Sequence, residues 1–407
     1  MENFLPYRYM LTPTTQFYFC GIPFRLDTTP KCNLSCLYCF ARSRGGKRTP
    51  NELMVNLSRF ARKMERAFKC SPQELDVSSQ MLQQGVPIHF GGMSDPFPTP
   101  FISDISRELL RIFAQYDYPI IMSTKKTDEL TKDETLQILQ RMDNHVIQIS
   151  FSTLNEELAS IIEPNAPTPR QRLKSISELS GLGVFVTVRL QPLFPELIDE
   201  AKEELIPAVA EAGAKHMIVE FFKLPVEKKV SLVSRFYKLT KWNHDDFFQQ
   251  KEARLVGREW ILPNQYKWDA LQPIIHKIRE QGMTYGAGDY ALHHLGDTAC
   301  CCGIDKLPGF HNWLHGNFAN VIRETNSEYI TIGRLESYWH PDKSIRAILN
   351  SRSRLENKRS MLDYLKAKWN SPGTPNAPDA FLGVSWKGDY DESQNCIYIK
   401  HENFVLP

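Results

Sequence analysis

Three cysteines near the start of the chain have a spacing that suits a metal cluster. Cys32, Cys36 and Cys39 form a C-x3-C-x2-C pattern in the segment DTTPKCNLSCLYCFAR. Thiolates this close together can bind one side of a [4Fe–4S] cluster, and three thiolates leave one iron open to a cofactor or substrate. A structural zinc site closes with four ligands, usually from paired C-x2-C motifs, and no second such motif follows here. A redox C-x-x-C motif would leave Cys32 unexplained, so the spacing favours an open iron–sulfur cluster.

A second group of metal-binding residue types lies far downstream. The segment from His293 to His315 holds three of the nine cysteines, Cys300–Cys302, and four of the eleven histidines. Neighbouring cysteine side chains diverge, so at most one or two of these thiols would bind one ion together with a histidine. A zinc ion or auxiliary cluster, a reactive thiol and a buried packing segment remain open as interpretations.

The composition is that of an ordinary folded protein. The 407 residues include 49 Lys and Arg against 47 Asp and Glu, and 42 % are hydrophobic. These values exclude a disordered tail, a collagen-like repeat and a disulfide-stapled miniprotein. The chain has no run of about 18 apolar residues and no signal-peptide pattern at its start. With an odd number of cysteines, this predicts a cytoplasmic protein that does not contact a membrane.

Strand-like and helix-like stretches alternate from about residue 22 to residue 222. This alternation predicts an α/β fold whose parallel strands are joined by right-handed crossovers. A (β/α) barrel, partial or full, and a doubly wound sheet both fit. The six predicted strands are Ile22–Thr29, Val86–Gly91, Pro119–Thr124, Val146–Thr153, Val184–Gln191 and Lys215–Phe221. Helices are predicted near 51–69, 103–116, 132–142, 169–181 and 199–212.

The pattern changes after about residue 225. A charged and aromatic region follows, then the Cys/His-rich segment 293–315 and further helix-like sequence. We therefore predict two domains, 1–225 and 226–407. The second is a C-terminal extension in which segment 293–315 is a candidate substrate cap, with Asp289 and Tyr290 just upstream of it.

The C-x3-C-x2-C loop directly after the first strand resembles that of the radical S-adenosylmethionine (SAM) superfamily. The resemblance implies a partial (β/α)6 barrel of the radical SAM type with a C-terminal mixed extension. It also implies a [4Fe–4S] cluster whose open iron binds SAM. Reduction of that cluster by a partner such as flavodoxin or ferredoxin would split SAM into methionine and a 5′-deoxyadenosyl radical, which abstracts hydrogen from a substrate.

Within that superfamily, residues 20–225 are similar to the spore photoproduct lyase-like branch. The motifs that carry this similarity are CLYCFARSRGGKR, HFGGMSDPF, STKK, ISFST, IIEPNAPTPRQRL and GVFVTVRLQPLFP. They imply a set of SAM-binding residues at the strand ends: Tyr38, Phe40, Gly91, Gly92, Ser94, Asp95, Lys125, Ser152 and Arg189. Glu163 is expected to pair with an arginine and to fix its loop beside the barrel mouth.

One position departs from the lyase pattern. The lyase has a hydrogen-donor cysteine two residues before its Ser-Asp pair, where this chain has Gly92. Repair of the spore lesion is therefore doubtful, and a different substrate is expected. Cys301, Cys302 and Tyr290 are the predicted catalytic residues, with one of the thiols as the replacement hydrogen donor.

The substrate that the resemblance favours is a nucleobase in DNA or RNA. Basic residues at 42–48 and 352–368, together with scattered tryptophans, could bind phosphates and stack bases. The nearly neutral overall charge argues mildly against a dedicated nucleic-acid domain. The same radical chemistry on a peptide or small metabolite, and a non-catalytic iron–sulfur module, are the alternatives.

Overall fold

The computed structural model describes residues 11, 13–39, 52–226, 229–310, 316–345 and 359–401. Its centre is a parallel sheet of seven strands. All six predicted strands are present in that sheet. In chain order the strands are β1 (Phe24–Leu26), β2 (Ile88–Phe90), β3 (Ile120–Thr124), β4 (His145–Phe151), β5 (Phe185–Leu193), β6 (His216–Phe221), β7 (Leu224–Pro225), β8 (Arg254–Val256), β9 (Glu259–Ile261), β10 (Thr284–Ala287), β11 (Tyr329–Ile330), β12 (Val384–Tyr390) and β13 (Cys396–Lys400).

The strand order decides between the two architectures that the sequence left open. A doubly wound sheet needs a point where the strand order reverses. Here β1 to β6 follow one another without a reversal. Successive right-handed crossovers then put the helices on one face of the sheet, which is the arrangement of a partial (β/α) barrel.

Helices connect the strands at the predicted places, and polar caps set where they begin. Thr99 accepts a hydrogen bond from the amide of Ile102 at the start of one helix, and Thr168 forms a capping box with Gln171 at another. The helices are α1 (Leu57–Lys69), α2 (Val77–Gln83), α3 (Pro100–Gln115), α4 (Thr127–Leu130), α5 (Asp133–Leu139), α6 (Glu156–Ile162), α7 (Pro169–Gly181), α8 (198–211, with a π turn at Ala201–Leu205), α9 (Lys229–Thr240), α10 (His244–Gln250), α11 (Asn264–Glu280), α12 (Phe318–Glu324), α13 (Gly333–Glu336) and α14 (Met361–Trp369).

The two faces of the sheet differ in character because side chains alternate along each strand. On β4, Ile147, Ile149 and Phe151 belong to the main hydrophobic core. Val146 and Ser150 point to the opposite, inner face. The apolar face therefore packs on the helices, while the inner face carries a mixture of polar and apolar groups.

The seventh strand comes from the segment that the sequence assigned to the extension. Thr284 pairs with His216 and Ala287 with Val219, so β10 continues the parallel sheet beyond β6. The sequence did not predict this strand, because YGAG offers little β propensity. The rest of the extension contributes two small antiparallel sheets, β7-β9-β8 and β11-β13-β12.

In the parts of the chain that the structure describes, no helix is both long enough and apolar enough to cross a bilayer.

Gly286 on β10 is a position where the packing requires glycine. A Cβ atom there would lie 2.0 Å from the carbonyl oxygen of Cys301 and 2.7 Å from His216 Nε2. Because that carbonyl already accepts a hydrogen bond from His216, it cannot move away easily. We expect Gly286→Ala to lower the free energy of unfolding by about 1–3 kcal/mol in chemical denaturation.

Gly181→Ala is the matched control for this prediction. A Cβ atom at Gly181, the last residue of α7, would meet nothing within 4 Å. Because alanine is the better helix former, this change should be neutral or stabilise the fold by up to about 1 kcal/mol. Equal effects of the two substitutions would contradict the close approach at Gly286.

Candidate active site

One cavity collects most of the predicted site residues. It has a volume of about 350 Å³ and lies against the inner face of the sheet and the loops that follow the strands. The lining includes Cys32, Cys36, Cys39, Tyr38, Gly91, Gly92, Ser94, Asp95, Lys125, Arg189, Tyr290, Cys301 and Cys302. The carboxyl ends of parallel strands are where barrel enzymes place their active sites. The cavity therefore has the position and size of a small-molecule site.

The cysteine loop after β1 places all three predicted ligands on the cavity wall. The amide of Leu37 donates to Ile162 O at 2.9 Å, which ties the loop to the end of α6. Ser35 adopts φ of 58°, an unusual conformation for a residue other than glycine, between two of the cysteines. Among the described residues, the sulfurs of Cys32, Cys36 and Cys39 are not a group lying within 4.8 Å of one another. This spread suits a cluster in which each thiolate binds a different iron, more than it suits one ion.

Burial makes the thiolate form of the loop cysteines unfavourable unless a cation is bound beside them. Burial raises the pKa of the Cys36 thiol to about 12, and nearby Lys125 opposes this only in part. The thiol therefore keeps its proton at neutral pH unless a bound metal compensates the thiolate charge. Three buried or half-buried sulfurs that face one cavity thus fit an iron–sulfur cluster.

The GGMSD segment after β2 is held by Asp27 at the end of β1. The amides of Met93 and Ser94 donate to Asp27 Oδ1 at 2.8 and 3.2 Å, and Ser94 Oγ donates to Thr29 O. Burial raises the pKa of Asp27 to about 6, even though these amides and Arg25 favour its charged form. The segment therefore has a fixed backbone that can present its peptide groups to a ligand.

The two glycines of this segment have different surroundings. Gly91 has φ of 79°, and a Cβ there would lie 2.6 Å from Ser123 O, so only glycine fits. At Gly92 a Cβ would meet Arg25 Cδ at 3.0 Å. The wall position where the lyase pattern has a cysteine is thus occupied here by the Arg25 side chain.

Asp95 connects the loops after β2 and β3. Its Oδ2 accepts hydrogen bonds from Thr124 Oγ1 at 2.9 Å and from the Lys125 amide at 2.8 Å, and its Oδ1 accepts from the Phe97 amide at 2.9 Å. Both carboxylate oxygens are therefore engaged within the protein. Asp95 lines the cavity, and its contacts serve to position Lys125.

A buried network around Glu163 joins the cysteine loop to the sheet. Tyr38 and Ser152 both donate to Glu163 Oε1, and Arg172 donates to Oε2. Lys125 Nζ lies 3.7 Å from the same carboxylate. The expected pairing of Glu163 with an arginine is thereby confirmed, with Arg172 as the partner. Ser152 is buried beside Glu163 and is not part of the lining, whereas Tyr38 and Lys125 reach the cavity.

The charge of Glu163 is stable because its partners outweigh the cost of burial. Burial favours the neutral acid, but Arg172 and Lys125 lower the pKa of Glu163 to about 2. Glu163 and Arg172 each expose 1 % of their side chains. The ion pair therefore persists at neutral pH and holds Tyr38 next to the cysteines.

The middle of the inner face carries a hydrogen-bonded polar row. Ser123 Oγ donates to Gln148 Oε1 at 2.7 Å and lies 2.7 Å from His89 Nε2. Arg189 donates to Gln191 Oε1 and to Ser123 Oγ, two uncharged groups. Burial, with the positive charges of Arg189 and Arg25, lowers the pKa of His89 to about 3. His89 is therefore neutral, and the guanidinium of Arg189 supplies positive charge to the cavity.

The second cysteine cluster packs against the inner face of the sheet. Cys300, Cys302 and Ile304 pack with Ile121 and Ile218 of the inner face. Cys301 and Cys302 also line the cavity that the loop of Cys32 lines. Two cysteines separated from the first loop by more than 260 residues therefore share its cavity.

The tertiary structure adds a residue that the sequence did not single out. Cys20 lies close enough to Cys300 and Cys301 for the three sulfurs to be within 4.8 Å of one another. A lone cysteine before the first strand carries no signal in the sequence. Only the packing of residues 13–22 against the 298–305 loop brings it there.

The residues before this loop have different surroundings. Tyr290 is exposed and its ring lies 5.5 Å from that of Phe19, and both residues line the cavity. Asp289 is buried, and Lys267 donates to it at 2.7 Å. His293 also lines the cavity, whereas His294 packs on Phe381.

Several expectations concern residues outside the described ranges. These are Phe40, the basic run 42–48, His311, Trp313, His315 and the basic residues 352–358. Of the remaining basic residues, Lys366 forms an ion pair with Glu336.

Comparison of the sequence with protein families finds one matching model. Residues 26–206 match the radical SAM superfamily. An uncharacterized protein, ORF301 of Acidianus two-tailed virus, is 33 % identical over 113 residues, which are 27 % of this chain and 36 % of that protein. The chain thus spans about a third of the length of this curated relative.

Two solved structures that align with part of the chain illustrate the comparison with known structures. Spore photoproduct lyase complexed with dinucleoside spore photoproduct aligns with a TM-score of 0.48 and 14 % identity, over 67 % of this chain and 76 % of that one. Streptococcus suis SuiB bound to S-adenosylmethionine aligns with a TM-score of 0.34 and 18 % identity, over 57 % of this chain and 45 % of that one.

The Glu163–Arg172 pair predicts a pH-dependent difference in stability. Glu163→Gln leaves the Arg172 guanidinium buried beside a neutral amide, so we expect a loss of about 3–5 kcal/mol at pH 7 in chemical unfolding. The Glu163 charge stabilises the fold fully above its ordinary pKa of 4.5, and this contribution disappears as the pH falls towards about 2. The difference in the free energy of unfolding between the wild type and Glu163→Gln should therefore become smaller as the pH falls from about 5 to about 2.

The exposed Glu157 on α6 offers the control for this measurement. Glu157→Gln should change stability by less than about 0.5 kcal/mol at every pH. If the difference in the free energy of unfolding between the wild type and Glu163→Gln stayed constant on acidification, the ion-pair assignment would be wrong.

Proposed function

We propose that the protein is a radical SAM enzyme that uses a [4Fe–4S] cluster and SAM to abstract hydrogen from a nucleobase of DNA or RNA. The match of residues 26–206 to the radical SAM superfamily supports the two cofactors. When bound and reduced, these cofactors supply a 5′-deoxyadenosyl radical as the hydrogen-abstracting species. The observation that carries the proposal is the common cavity of Cys32, Cys36 and Cys39 with a polar inner face. A radical formed in this cavity would meet a substrate bound there before it meets solvent.

The residues of the cavity wall suggest how SAM would be oriented. Peptide groups of Gly91 and Gly92 can accept from its ammonium group, because glycine lets a ligand approach the backbone closely. Lys125, positioned by Asp95 and Glu163, offers a cation to its carboxylate. Tyr38 and Ser94 complete the proposed SAM contacts, with Ser152 as a support for Tyr38. Of the two roles open to Arg189, SAM contact or substrate contact, we assign it the second.

The far side of the cavity suggests a flat, anionic substrate. The Phe19 and Tyr290 rings form an aromatic pair there, on which a base can stack. Arg189, whose hydrogen-bond partners Gln191 and Ser123 are uncharged, can attract a phosphate. This combination of stacking surface and positive charge favours a nucleotide unit over an ordinary peptide side chain.

Hydrogen return to the substrate needs a group with a transferable hydrogen atom. With Gly92 at the lyase donor position, we propose that the donor is one of the lining groups Cys301, Cys302 and Tyr290. Each of them has an S–H or O–H group and lines the same cavity as the cysteine loop.

The first test concerns the cluster. Cys32→Ala should lower the yield of 5′-deoxyadenosine from SAM by at least about 100-fold in anaerobic, dithionite-reduced protein, because the loop then has too few thiolates to hold the cluster. Bound iron should fall in parallel. Chromatography of the reaction products and iron analysis measure the two effects.

Cys70→Ala is the matched control, since Cys70 follows the end of α1 and is not part of the cavity lining. This variant should keep its iron and its activity. Wild-type protein that holds the cluster and cleaves no SAM would support a non-catalytic iron–sulfur module and overturn the proposal.

The second test concerns the substrate. Short single-stranded DNA and RNA oligonucleotides should bind with a Kd that rises about tenfold or more between 50 and 200 mM salt, since phosphate contacts release counterions. They should also speed 5′-deoxyadenosine formation. In D₂O the modified base should gain deuterium, because thiol and phenol hydrogens exchange with solvent.

A peptide control distinguishes a nucleic-acid substrate from a peptide substrate. A short peptide of matched charge serves as the control in both assays and should neither bind nor stimulate SAM cleavage. If the peptide stimulates cleavage and the oligonucleotides do not, the nucleobase assignment is wrong and the radical chemistry serves another substrate.

A further inference from the structure

We propose that Cys20, Cys300 and Cys301 bind a single thiophilic metal ion of the zinc type, in addition to the proposed cluster at Cys32, Cys36 and Cys39. With three protein ligands, this ion would have its fourth position open to water in the cavity, unlike a structural zinc site with four protein ligands. The three sulfurs lie within 4.8 Å of one another, and no other group of three potential ligands in the described residues meets this limit. All three cysteines are free thiols. The proposal does not depend on the nature of the substrate.

The spacing suits one ion better than a cluster. Thiolates bound at about 2.3 Å to a tetrahedral ion lie about 3.8 Å apart, so sulfurs within 4.8 Å need only small side-chain movements to coordinate it. In a [4Fe–4S] cluster each thiolate binds a different iron and the sulfurs must lie farther apart. The two cysteine groups of this cavity therefore differ in the kind of metal centre that they fit.

Hydrogen bonds to its carbonyl groups fix the backbone of the 298–303 loop, and with it the positions of Cys300 and Cys301. His216 Nε2 donates to Cys301 O at 2.8 Å, and its Nδ1 lies 2.8 Å from Thr284 Oγ1, which fixes the ring. Thr298 Oγ1 and the Gly303 amide donate to Cys300 O at 2.7 and 3.0 Å. Such a frame lowers the cost of ordering the ligands when a metal binds.

Cys20 is also held in place by hydrogen bonds within its own segment. Its amide donates to Gln16 O at 2.7 Å, which closes the turn that carries it. The amide of Ile22 donates to Cys20 Sγ at 3.5 Å. A backbone N–H directed at sulfur stabilises a thiolate, and outer contacts of this kind orient metal ligands in proteins.

The surroundings are apolar on one side and open to the cavity on the other. Ile22, Ile121 and Ile218 pack around the cysteines. Cys20 and Cys301 reach the cavity, which offers a route by which a metal ion can enter. Soft sulfur ligands select zinc-type ions over magnesium and calcium ions, because the latter two prefer oxygen ligands.

This metal site limits the choice of hydrogen donor. A metal-bound sulfur carries no hydrogen, so Cys301 would act as a ligand and not as a donor. Cys302, whose sulfur lies 3.7 Å from that of Cys301, and Tyr290 would remain for hydrogen transfer.

Metal analysis of the full-length holoenzyme tests the proposal. Zinc and iron are measured in the same samples by mass spectrometry, after expression with added zinc and reconstitution of the cluster. We expect about one zinc per chain in the wild type. Cys20→Ser and Cys300→Ser should each lower bound zinc at least about tenfold while iron stays unchanged, which also reports a folded chain.

Two matched variants make the assignment specific. Cys302→Ser alters the neighbouring thiol and should keep both metals, and Cys32→Ala should lose iron and keep zinc. Cobalt bound in place of zinc should show intense thiolate-to-metal absorption that disappears in Cys20→Ser. Zinc retained in Cys20→Ser and Cys300→Ser, zinc lost in Cys302→Ser, or a Cys20–Cys300 disulfide in metal-free protein would each overturn the proposal.

Discussion

The inner face of the sheet carries polar groups that the remaining segments of the chain have to cover. Because β1 to β6 follow one another in order, the crossover helices cover one face and leave the other without helices. That face carries charged and hydrogen-bonding groups such as Arg25, His89 and Arg189, which cannot be covered simply by apolar side chains. Residues 16–22 and the loop around Cys300 to Ile304 cover it in part, and the uncovered remainder is the cavity.

The polar groups of this cavity are fixed mainly by one another. Asp27 and Asp95 hold the loops after β2 and β3, and the Glu163–Arg172 pair holds Tyr38 and the cysteine loop. Each carboxylate is buried and satisfied by several donors, so the loops keep one conformation although they contain little regular structure. The radical chemistry proposed above would benefit from such rigidity, because misplacement by about 1 Å is costly to catalysis.

The cavity also joins two parts of the chain that are far apart in sequence. β10 extends the sheet beyond β6, and its Gly286 lets the Cys301 loop approach the inner face closely. The supposed extension is therefore continuous with the barrel at the site itself. Cys301, Cys302 and Tyr290 line the same cavity as Cys32, Cys36 and Cys39 because of this arrangement.

Local signals in the sequence determined much of this protein: six strands, most long helices, the cysteine loop and the pairing of Glu163 with an arginine. These features depend on spacing and periodicity between near neighbours, which any stretch of chain carries by itself. The seventh strand, the position of Arg25 over Gly92 and the approach of Cys20 to Cys300 were decided only by the tertiary structure. They arise from contacts between distant segments, and no local pattern encodes such contacts, because they depend on how the whole inner face is filled.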